Sequence, residues 1–390
     1  MRSIRDLNLE GKAVFMRLDL NVPMKDGKVT SDARINAALP TIKFALDKGA
    51  RLAITSHLGR PKGKRDMKYS LEPVGARLSE ILGKDVLFAE DCIGDGVKGM
   101  VKNLRPGGII LLENVRFHEG ETKNDPEFAK ALAAPFEVFV NDAFGSSHRE
   151  HASVTGIVKY VQASGGGFLL EKEVQSISKL VNNPQKPFVA ILGGAKVADK
   201  IGVLGSLVGK ADTLLIGGAM AYTFLKAQGV DVGGSKFEED QVRHSQELLK
   251  RAKDRGVDIL LPIDHSCADT FSEDATLIAV TTQNIPAGKL ALDIGPQTRK
   301  LYSERIAQAA TVFWNGPMGV FEWSQFAAGT NALAQAVANS EAFTVVGGGD
   351  SVSAIEKAGI QDKIDHVSTG GGASLEFIEN GSLPGIVVLS

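Results

Sequence analysis

Short apolar runs in the first part of the sequence are each followed by polar side chains, among them several arginines and histidines. These side chains are Asp19, Asn21, His57, Arg60, Arg116, His118, His148, Arg149 and His151. Arginine and histidine donors at loop tips suit a phosphate or a carboxylate, because a guanidinium group matches two oxygens at once. A single arginine of this kind is usually a solvated surface residue, and His118 and His151 are equally compatible with structural roles. Because such side chains follow several apolar runs in succession, the pattern favours an anion-binding site.

The second part carries glycine clusters at the corresponding positions. They are Gly193-Gly194, Gly217-Gly218, Asn315-Gly316-Pro317, Gly347–Gly349 and Gly370–Gly372. Without side chains, backbone N–H groups approach an anion closely, and a helix that starts there adds a partial positive charge. One glycine pair is weak evidence, since turns and helix caps use glycine freely. Five clusters indicate a phosphate cradle, and the lack of GxxxxGK[ST] and GxGxxG at these turns argues against an ordinary P-loop or dinucleotide fingerprint.

Three charged residues lie beside these glycines. Asp350 directly follows Gly347–Gly349, where a carboxylate is suited to hold Mg²⁺ between phosphate oxygens or to cap a helix, and the two roles are compatible. Lys196 and Lys200 are four residues apart, a spacing that predicts one face of the first turns of a helix. The helix dipole disfavours cations there, so the pair indicates an anion opposite, with solvated lysines as the alternative.

Apolar runs that alternate with segments of helical periodicity predict the elements that hold these residues. The strands expected in the first part are Ala13–Leu18, Arg51–Thr55, Val86–Ala89, Gly108–Leu112 and Val138–Asn141, with helices such as Asp32–Asp47 and Leu71–Leu82 between them. Those expected in the second part are Phe188–Leu192, Thr213–Ile216, Ile259–Pro262, Leu290–Asp293, Val312–Trp314 and Thr344–Val346, with an antiparallel addition near Asp274–Thr282. The alternation is typical of parallel sheets covered by helices, and it predicts two doubly wound, Rossmann-like α/β domains.

A helix is predicted to join the two parts. It follows three glycines at 165–167 and ends before Pro184, because the residue preceding a proline is pushed out of the helical region. Its apolar residues share one face and are Leu170, Val174, Ile177 and Val181. We therefore expect an N-terminal domain over 1–168, a bridging hinge helix over 169–185 and a C-terminal domain over 186–379. The alternative is an ordinary helix inside one large domain.

The composition limits the class of protein. A chain of 390 residues is longer than one hydrophobic core usually supports. Its content of 43% hydrophobic and 23% charged residues is typical of a globular protein. A net charge of −2 gives no global field that would attract nucleic acid or an anionic membrane. No signal sequence or membrane-spanning run is recognisable, so we expect a cytoplasmic protein. Cys92 and Cys267 lie far apart and predict neither a disulfide framework nor a zinc site.

An arginine-rich part, a glycine-rich part and an acid suited to a metal suggest phosphoryl transfer, and the residues that carry these features resemble one family. The matching blocks are Met16–Pro23, Ser56–Pro61, Leu111–His118, Asn141–Ser153, Ile191–Lys200, Phe313–Glu322, Val345–Ser351 and His366–Glu376. They follow one another in order through almost the whole chain, and together they resemble phosphoglycerate kinase. Eight matched blocks make the resemblance highly specific.

The resemblance implies a reaction and a role for each site residue. The reaction would be reversible phosphoryl transfer from 1,3-bisphosphoglycerate to MgADP in glycolysis and gluconeogenesis, by direct in-line transfer with hinge closure. The triose ligands would be Asp19, Asn21, Arg34, His57, Arg60, Arg116 and Arg149. The nucleotide site would be formed by Gly193, Lys200, Gly217, Leu292, Asn315, Pro317, Glu322, Gly348, Gly349, Asp350 and Ser351, with Mg²⁺ on Asp350. The moving phosphoryl group would be surrounded by Arg34, Lys196, Lys200, Gly371 and Gly372.

The resemblance also implies that residues 380–390 return to the first domain, and we expect a monomer that acts on small molecules without nucleic-acid or membrane partners. Ala291 stands where the family often has glycine beside the base pocket, a difference that bears on the fit of the nucleotide without predicting its direction. Two other classes are weighed against this one. An NAD-dependent dehydrogenase would need a dinucleotide turn, and a periplasmic anion-binding protein would need an export signal. The sequence shows neither feature.

Overall fold

The computed structural model describes residues 1–389 and contains two compact units. The first unit consists of Met1–Gln175 and residues 382–389, and the second unit of Ser176–Gly381. Each unit is built on a six-stranded parallel sheet. The expectation of two Rossmann-like α/β domains is therefore confirmed.

The sheet of the first unit has its earliest strand near the centre. The strands are β1 (Ala13–Arg17), a hairpin of β2 (Met24–Lys25) and β3 (Lys28–Val29), β4 (Arg51–Thr55), β5 (Leu87–Ala89), β6 (Ile109–Leu112), β7 (Val138–Asn141) and β8 (Ala163–Gly166). The helices are α1 (Ala33–Asp47), α2 (Glu72–Leu82), α3 (Asp95–Asn103), α4 (Glu119–Lys123) and α5 (Pro126–Ala133). The sheet order is β5-β6-β4-β1-β7-β8, and each neighbouring pair is parallel. Residues that follow β1 thus lie in the middle of the edge formed by the strands' carboxyl ends.

Burial explains why the sequence predicts these strands well. All residues of β1, β6 and β7 are buried. Helices cover both faces of a parallel sheet, so its strands are continuous apolar runs rather than alternating ones. Ile42 of α1 and Leu78 of α2 belong to the same core cluster as Val14 and Ile54 of the sheet.

The first two of the three glycines at 165–167 belong to a strand rather than to a loop before the bridging helix. Gly165 and Gly166 are buried residues of β8 and pair with Val140 and Asn141 of β7. Close packing explains their type, because a Cβ on Gly165 would lie 3.1 Å from the carbonyl oxygen of Arg2. The sequence did not predict β8, since the run ASGG lacks the β-branched and aromatic residues that mark a strand.

The joining helix, α6 (Phe168–Asn182), is present as predicted and ends before Pro184. Leu170, Ile177 and Leu180 are buried, whereas Val174 and Val181 are only partly buried. The division between the two units falls inside this helix, after Gln175.

Each half of α6 is attached to its own unit. Arg5 of the first unit forms an ion pair with Glu171 at 2.6 Å, and its guanidinium carbon lies 4.2 Å from the ring centre of Phe168. In the second unit, the Lys179 Nζ lies 4.4 Å from the ring centre of Phe343. The helix is therefore one continuous element with a separate anchor on each side of the division.

The first turn of α6 is capped by side chains from outside the helix. Thr41 Oγ1 accepts a hydrogen bond from Phe168 N at 3.0 Å, and Asp142 Oδ1 accepts one from Leu170 N, also at 3.0 Å. Asp142 follows β7 and is 1% exposed. Burial raises the pKa of the Asp142 carboxyl to about 6, although its hydrogen bonds partly oppose the shift.

We expect Asp142 to make the first unit more stable at mildly acidic pH. Its folded pKa of about 6 lies above the unfolded value, so its contribution to stability is lost as the pH rises through 6. Between about pH 8 and pH 5 the gain should be on the order of 1–1.5 kcal/mol. Asp142→Asn, which does not titrate, should lack this component. Urea unfolding of both proteins across this range measures it, and a difference that does not vary with pH would contradict the assignment.

The second unit repeats the architecture. Its strands are β9 (Phe188–Leu192), β10 (Thr213–Ile216), β11 (Asp258–Leu260), β12 (His265–Ala268), β13 (Ile278–Val280), β14 (Leu290–Ile294), β15 (Thr311–Asn315), β16 (Phe343–Gly347) and β17 (His366–Val367). Its helices are α7 (Ile201–Leu207), α8 (Met220–Ala227), α9 (Val242–Asp254), α10 (Pro296–Ala307), α11 (Ala328–Ala338), α12 (Gly349–Lys357) and α13 (Gly372–Asn380). The parallel sheet has the order β11-β10-β9-β15-β16-β17. Trp314 of β15 is fully buried within its core.

The strand at Leu290–Asp293 was expected to continue the parallel pattern, and this is wrong. Strand β14 pairs antiparallel with β12, and β12 pairs antiparallel with β13, so the three form a separate sheet. The addition expected near Asp274–Thr282 corresponds to β13 and is antiparallel, as predicted. Strand β12 escaped prediction because it is short and has no large apolar residue, although all four residues, His265 to Ala268, are buried. The sixth place in the parallel sheet belongs to β17, which has only two residues.

The last described residues belong to the first unit and include the short helix α14 (Pro384–Val387). Gly385 N donates to Ser147 O at 2.8 Å, and Asn141 Nδ2 donates to Gly385 O at 3.1 Å. A Cβ on Gly385 would lie 2.9 Å from the Cα of Ser147, so this approach requires glycine. Ser390 lies outside the described residues. Within residues 1–389, no helix is both long and apolar enough to cross a bilayer.

Candidate functional site

Side chains from three neighbouring strands lie at the carboxyl edge of the first sheet. Asp19 and Asn21 follow β1, His57 follows β4, and Arg116 lies in a 3₁₀ turn after β6. Arg34, in the first turn of α1, forms an ion pair with Asp19. The fold therefore brings together five of the residues that the sequence predicts for an anion.

The ion pair with Arg34 keeps Asp19 charged. Burial alone would raise the pKa of Asp19, yet the positive charge around it holds that pKa below its ordinary value. We attribute the effect to the guanidinium groups of Arg34 and Arg17, because His57 acts in this direction only when protonated. An ionised Asp19 can only accept hydrogen bonds, so it suits a hydroxyl group of a ligand.

Arg17, which the sequence analysis missed, lies beneath these residues and is fully buried. Its Nε donates to Ser153 Oγ at 2.9 Å, and its Nη2 lies 3.0 Å from His57 Nδ1. Ser153 Oγ donates to the buried carboxylate of Glu121 at 2.7 Å. A buried guanidinium balanced through a serine by a buried carboxylate positions the histidine above it. An arginine inside the run MRLDL has no periodicity signal that distinguishes it from an apolar strand residue.

The contact with Arg17 settles the tautomer of His57. A guanidinium group only donates hydrogen bonds, so His57 Nδ1 must accept and the ring proton lies on Nε2. Burial, followed by the charge of Arg17, holds the pKa of His57 well below its ordinary value. His57 is therefore a neutral hydrogen-bond donor at physiological pH rather than a cation or a general base.

Arg116 lies in an environment with excess positive charge. Its Nη1 donates to Gly59 O at 2.8 Å, and Asn21 Oδ1 accepts from Gly59 N at 2.9 Å, so one glycine joins two of the strand ends. Burial and the nearby charges of Arg17 and Arg149 lower the pKa of Arg116 to about 10. A cation destabilised by other cations is stabilised by a bound anion.

Arg60 and Arg149 lie at the outside of this group. Both are exposed, and Arg149 Nε donates to His148 Nε2 at 3.0 Å. Of the other histidines, His118 is hydrogen bonded to Asp91 and His151 is buried, with its Nδ1 3.6 Å from Glu121. Burial, followed by the charge of Arg116, lowers the pKa of His151 to about 4, so it is neutral and has the structural surroundings expected of a core histidine.

The five glycine clusters of the second unit follow β9, β10, β15, β16 and β17, which are neighbours in the parallel sheet. They therefore lie at one edge, as binding sites of such sheets do. A cavity of about 330 Å³ opens there. Its lining includes eight of the predicted residues: Lys196, Lys200, Asn315, Pro317, Gly348, Gly349, Asp350 and Ser351.

The remaining predicted residues do not line this cavity. Gly193 is adjacent to it through its carbonyl oxygen, which accepts from Lys200. Leu292 is buried in a small apolar cluster with Ala268 and Phe326, and Glu322 is exposed. The others are Gly217, which follows β10, and Gly371 and Gly372, which begin α13.

Two different physical reasons explain why glycine occupies positions at this edge. A Cβ on Gly193 would lie 2.0 Å from the carbonyl oxygen of Pro317, so glycine is needed there for the close approach of two turns. Gly371 has a φ of +51°, and a Cβ on Gly349, Gly371 or Gly372 would meet no atom within 4 Å. The helix starts at 349 and 372 therefore face open space, where their free N–H groups are accessible to an anion.

Lys200 organises the turns. Its Nζ donates to Gly193 O at 2.6 Å, Asn315 O at 2.9 Å and Asn315 Oδ1 at 2.6 Å, which uses all three of its hydrogens. Burial lowers the pKa of Lys200 to about 8, although the charges of Asp350 and Asp199 oppose the shift. Asn315 Nδ2 in turn donates to Gly347 O at 2.8 Å, so one lysine and one asparagine connect three of the five turns.

The expectation that Lys196 and Lys200 share the first turns of a helix is wrong. Helix α7 begins at Ile201, and the segment from 193 to 200 is a loop with turns. Lys196 is exposed at the cavity, whereas Lys200 points inward. The four-residue spacing of the lysines suggested a helix, but the helix begins only after the second lysine, at Ile201.

A second residue that the sequence analysis missed fixes this loop. The carboxylate of Glu238 accepts hydrogen bonds from Val197 N and Ala198 N, which lie between the two lysines. Glu238 N donates to Thr223 Oγ1 at 3.1 Å, which anchors it to α8. Nothing in its sequence surroundings, KFEED, distinguishes this acid from its exposed neighbours.

Comparison with known proteins gives a consistent result along the whole chain. The family description for phosphoglycerate kinase matches residues 4–381. The phosphoglycerate kinase of Anaeromyxobacter dehalogenans (strain 2CP-C) is 56% identical over 389 residues, which cover 99% of this chain and 98% of that protein. That of Clostridium tetani (strain Massachusetts / E88) is 50% identical over 100% of this chain and 98% of its own.

Solved structures agree with the sequence relatives. The phosphoglycerate kinase from Coxiella burnetii superposes with a TM-score of 0.91 at 45% identity, covering 99% of this chain and 98% of the other. The enzyme from Pyrococcus horikoshii OT3 superposes with a TM-score of 0.86 at 35% identity, covering 100% and 98%.

Proposed function

The chain belongs to the phosphoglycerate kinase family, and from this premise we propose that it catalyses reversible phosphoryl transfer from 1,3-bisphosphoglycerate to MgADP, giving 3-phosphoglycerate and MgATP. Glycolysis and gluconeogenesis are the pathways that use this reaction. We further propose that it acts as a monomer in the cytoplasm, on these small molecules alone. The observation that carries the proposal is that each unit has its own sheet edge suited to an anion, one with guanidinium groups and the other with glycine turns.

In the first unit, the residues proposed to hold the triose are Asp19, Asn21, Arg34, His57, Arg60, Arg116 and Arg149. The guanidinium groups suit phosphate and carboxylate oxygens, while ionised Asp19 accepts a hydrogen bond from a hydroxyl. The neutral His57 donates from Nε2. This division of donors and one acceptor matches a substrate with several anionic oxygens and a single hydroxyl.

In the second unit, the glycine turns and the cavity are proposed to hold the nucleotide. The phosphates would lie at the start of α12, at Gly348, Gly349 and Ser351. Asp350 fits a role as Mg²⁺ ligand, because its carboxylate is an exposed oxygen donor in the cavity wall. Mg²⁺ held there would neutralise phosphate charge. The nucleoside would lie at the other proposed residues of this unit, which are Gly193, Gly217, Leu292, Asn315, Pro317 and Glu322.

The transfer itself needs charge and position rather than a base. In the direction that makes ATP, a carboxylate leaves, and it requires no proton at neutral pH. Positive groups that surround the three equatorial oxygens stabilise the transition state. We propose that Arg34, Lys196 and the N–H groups at Gly371 and Gly372 supply this charge. Lys200 would join them by exchanging one of its carbonyl partners for a phosphate oxygen.

The activity is tested directly. Purified protein should phosphorylate 3-phosphoglycerate from MgATP, and it should form ATP from 1,3-bisphosphoglycerate faster in the reverse direction. A coupled assay measures the first reaction, with an Mg²⁺-free sample as control. Folded protein that shows no turnover in the presence of Mg²⁺ would overturn the proposal.

We propose that the two units close on each other by bending at the C-terminal end of α6. The triose residues all belong to the first unit and the nucleotide residues to the second, whereas transfer requires reacting atoms about 3–3.5 Å apart without water. The segment after α6, Asn183-Pro184, is suited to absorb the change, whereas Gly165 and Gly166 are held in β8.

Small-angle scattering should therefore show the smallest radius of gyration when a triose ligand and a magnesium nucleotide are both present. Each ligand alone should give a smaller decrease, because neither contacts both sets of residues. Samples with one ligand serve as controls. A radius that is unchanged by the two ligands together would count against closure.

A further inference from the structure

We propose a second metal site in the first unit, formed by Asp91, Cys92 and His118, which would take a zinc-like divalent cation. One ligand atom from each of these side chains lies within 4.8 Å of the other two. Two of the ligands are neighbours in the loop after β5, and the third follows β6, the adjacent strand of the sheet. No zinc site was expected at Cys92, because only the pairing of parallel strands brings it near His118, 26 positions later.

The types of the three side chains select the metal. Thiolate, imidazole and carboxylate are the ligands of zinc sites, whereas Mg²⁺ prefers oxygen alone. Tetrahedral coordination with metal–ligand distances near 2.0–2.3 Å places ligand atoms about 3.3–3.7 Å apart. The three ligand atoms now lie within 4.8 Å of one another, with Asp91 Oδ1 and His118 Nε2 2.7 Å apart, so binding requires side-chain shifts of up to about 1 Å. A divalent cation would also balance the charges of one carboxylate and one thiolate.

The surroundings of the ligands fix their orientation. Asp91 Oδ1 accepts hydrogen bonds from Cys92 N at 2.6 Å and from His118 Nε2 at 2.7 Å. The ring of His118 stacks on Phe128, with centres 5.1 Å apart. Backbone hydrogen bonds to a ligating carboxylate and a fixed imidazole plane are regular features around bound metals.

An ion can reach the site, whereas burial raises the pKa of the Cys92 thiol well above its usual range, a cost that metal binding must offset. The side chains of Asp91 and His118 are 45% and 30% exposed, so an ion and a water ligand can reach the site, while Cys92 is buried behind them. On binding, the Cys92 thiol proton leaves to solvent. The His118 ring proton moves from Nε2 to Nδ1, so that Nε2 coordinates. One proton is therefore released for each metal bound.

The test uses the full chain, freed of metal by a chelator, and Co²⁺ as a spectroscopic substitute for Zn²⁺. We expect one Co²⁺ per chain, a near-ultraviolet thiolate-to-metal charge-transfer band, displacement of the band by Zn²⁺ and no displacement by Mg²⁺. Cys92→Ser should abolish the band. His118→Gln should weaken binding by at least about 10–100-fold, the loss found when metal-site partners are removed.

Cys267→Ser is the matched control, because Cys267 is the other buried free cysteine of the described chain. It should leave the Co²⁺ spectrum unchanged. Absence of the charge-transfer band in the wild-type protein, or a band that disappears with Cys267 rather than Cys92, would overturn the proposal. Equal Zn²⁺ affinity in the wild type and in His118→Gln would also overturn the proposal. If Cys92→Ser fails to fold, His118→Gln still provides the test.

Discussion

Lys196→Ala should lower kcat by about 10²–10³ while changing KM much less, because loss of one preorganised charge at a transition state has this effect. Lys196 is exposed at the cavity beside Asp350 and the start of α12. Its loop is fixed by the carboxylate of Glu238, so the ammonium group is presented from a rigid backbone. The measurement is steady-state kinetics with MgATP and 3-phosphoglycerate.

The exposure of Lys196 allows a loss of activity in this variant to be separated from a loss of stability. Truncating an exposed side chain changes the free energy of unfolding by only a few tenths of a kcal/mol, so lost activity cannot be attributed to unfolding. Lys300→Ala is the matched control, since Lys300 is an exposed lysine on α10 with only a 4.0 Å approach to Glu304. Arg60→Ala should differ from both by raising KM for the triose. A kcat within a few-fold of wild type for Lys196→Ala would show that its role is wrongly assigned.

Arg17→Met should destabilise the first unit by about 3–5 kcal/mol, the usual result of removing one member of a buried charge network. The variant would leave the carboxylate of Glu121 buried without its compensating cation, and His57 Nδ1 without its donor. Methionine fills much of the same volume, so the change tests charge and hydrogen bonding more than packing. Substrate affinity should fall as well, since His57 would lose its fixed tautomer.

The distribution of tryptophan allows the effect to be assigned to one unit. Both tryptophans, Trp314 and Trp323, belong to the second unit, so their fluorescence reports unfolding there. Amide hydrogen exchange of β1 and β4 reports the first unit. We expect faster exchange in those strands with an unchanged fluorescence transition. Arg149→Ala, at an exposed arginine, should alter neither, and equal behaviour of the two variants would contradict the assigned network.

Particular residues show how far the sequence could predict the site. Asp19, His57 and Arg116 were predictable because each follows an apolar run, and parallel strands deliver their carboxyl ends to one edge. The glycine clusters were predictable for the same reason. Strand order was not, because it depends on pairings among distant segments that no local pattern records.

The residues that were missed act through contacts rather than through pattern. Arg17 occupies a strand position and acts only through what lies beside it in three dimensions. Glu238 matters because its carboxylate meets two backbone N–H groups some forty residues away, at 197 and 198. Strand β12 is buried but has no large apolar residue, so its composition did not indicate a strand. In each case the decisive partner is remote in sequence.

The position of Gly385 also determines which of the two units is completed last during synthesis. The second unit is a continuous stretch, complete once residue 381 has been synthesised, whereas the first unit begins at Met1 and still lacks residues 382–389 at that time. Until those residues leave the ribosome, Asn141 Nδ2 and Ser147 O have no Gly385 to bind. The unit made first is thus the unit completed last, and the contact that closes it forms only when synthesis of the chain is nearly finished.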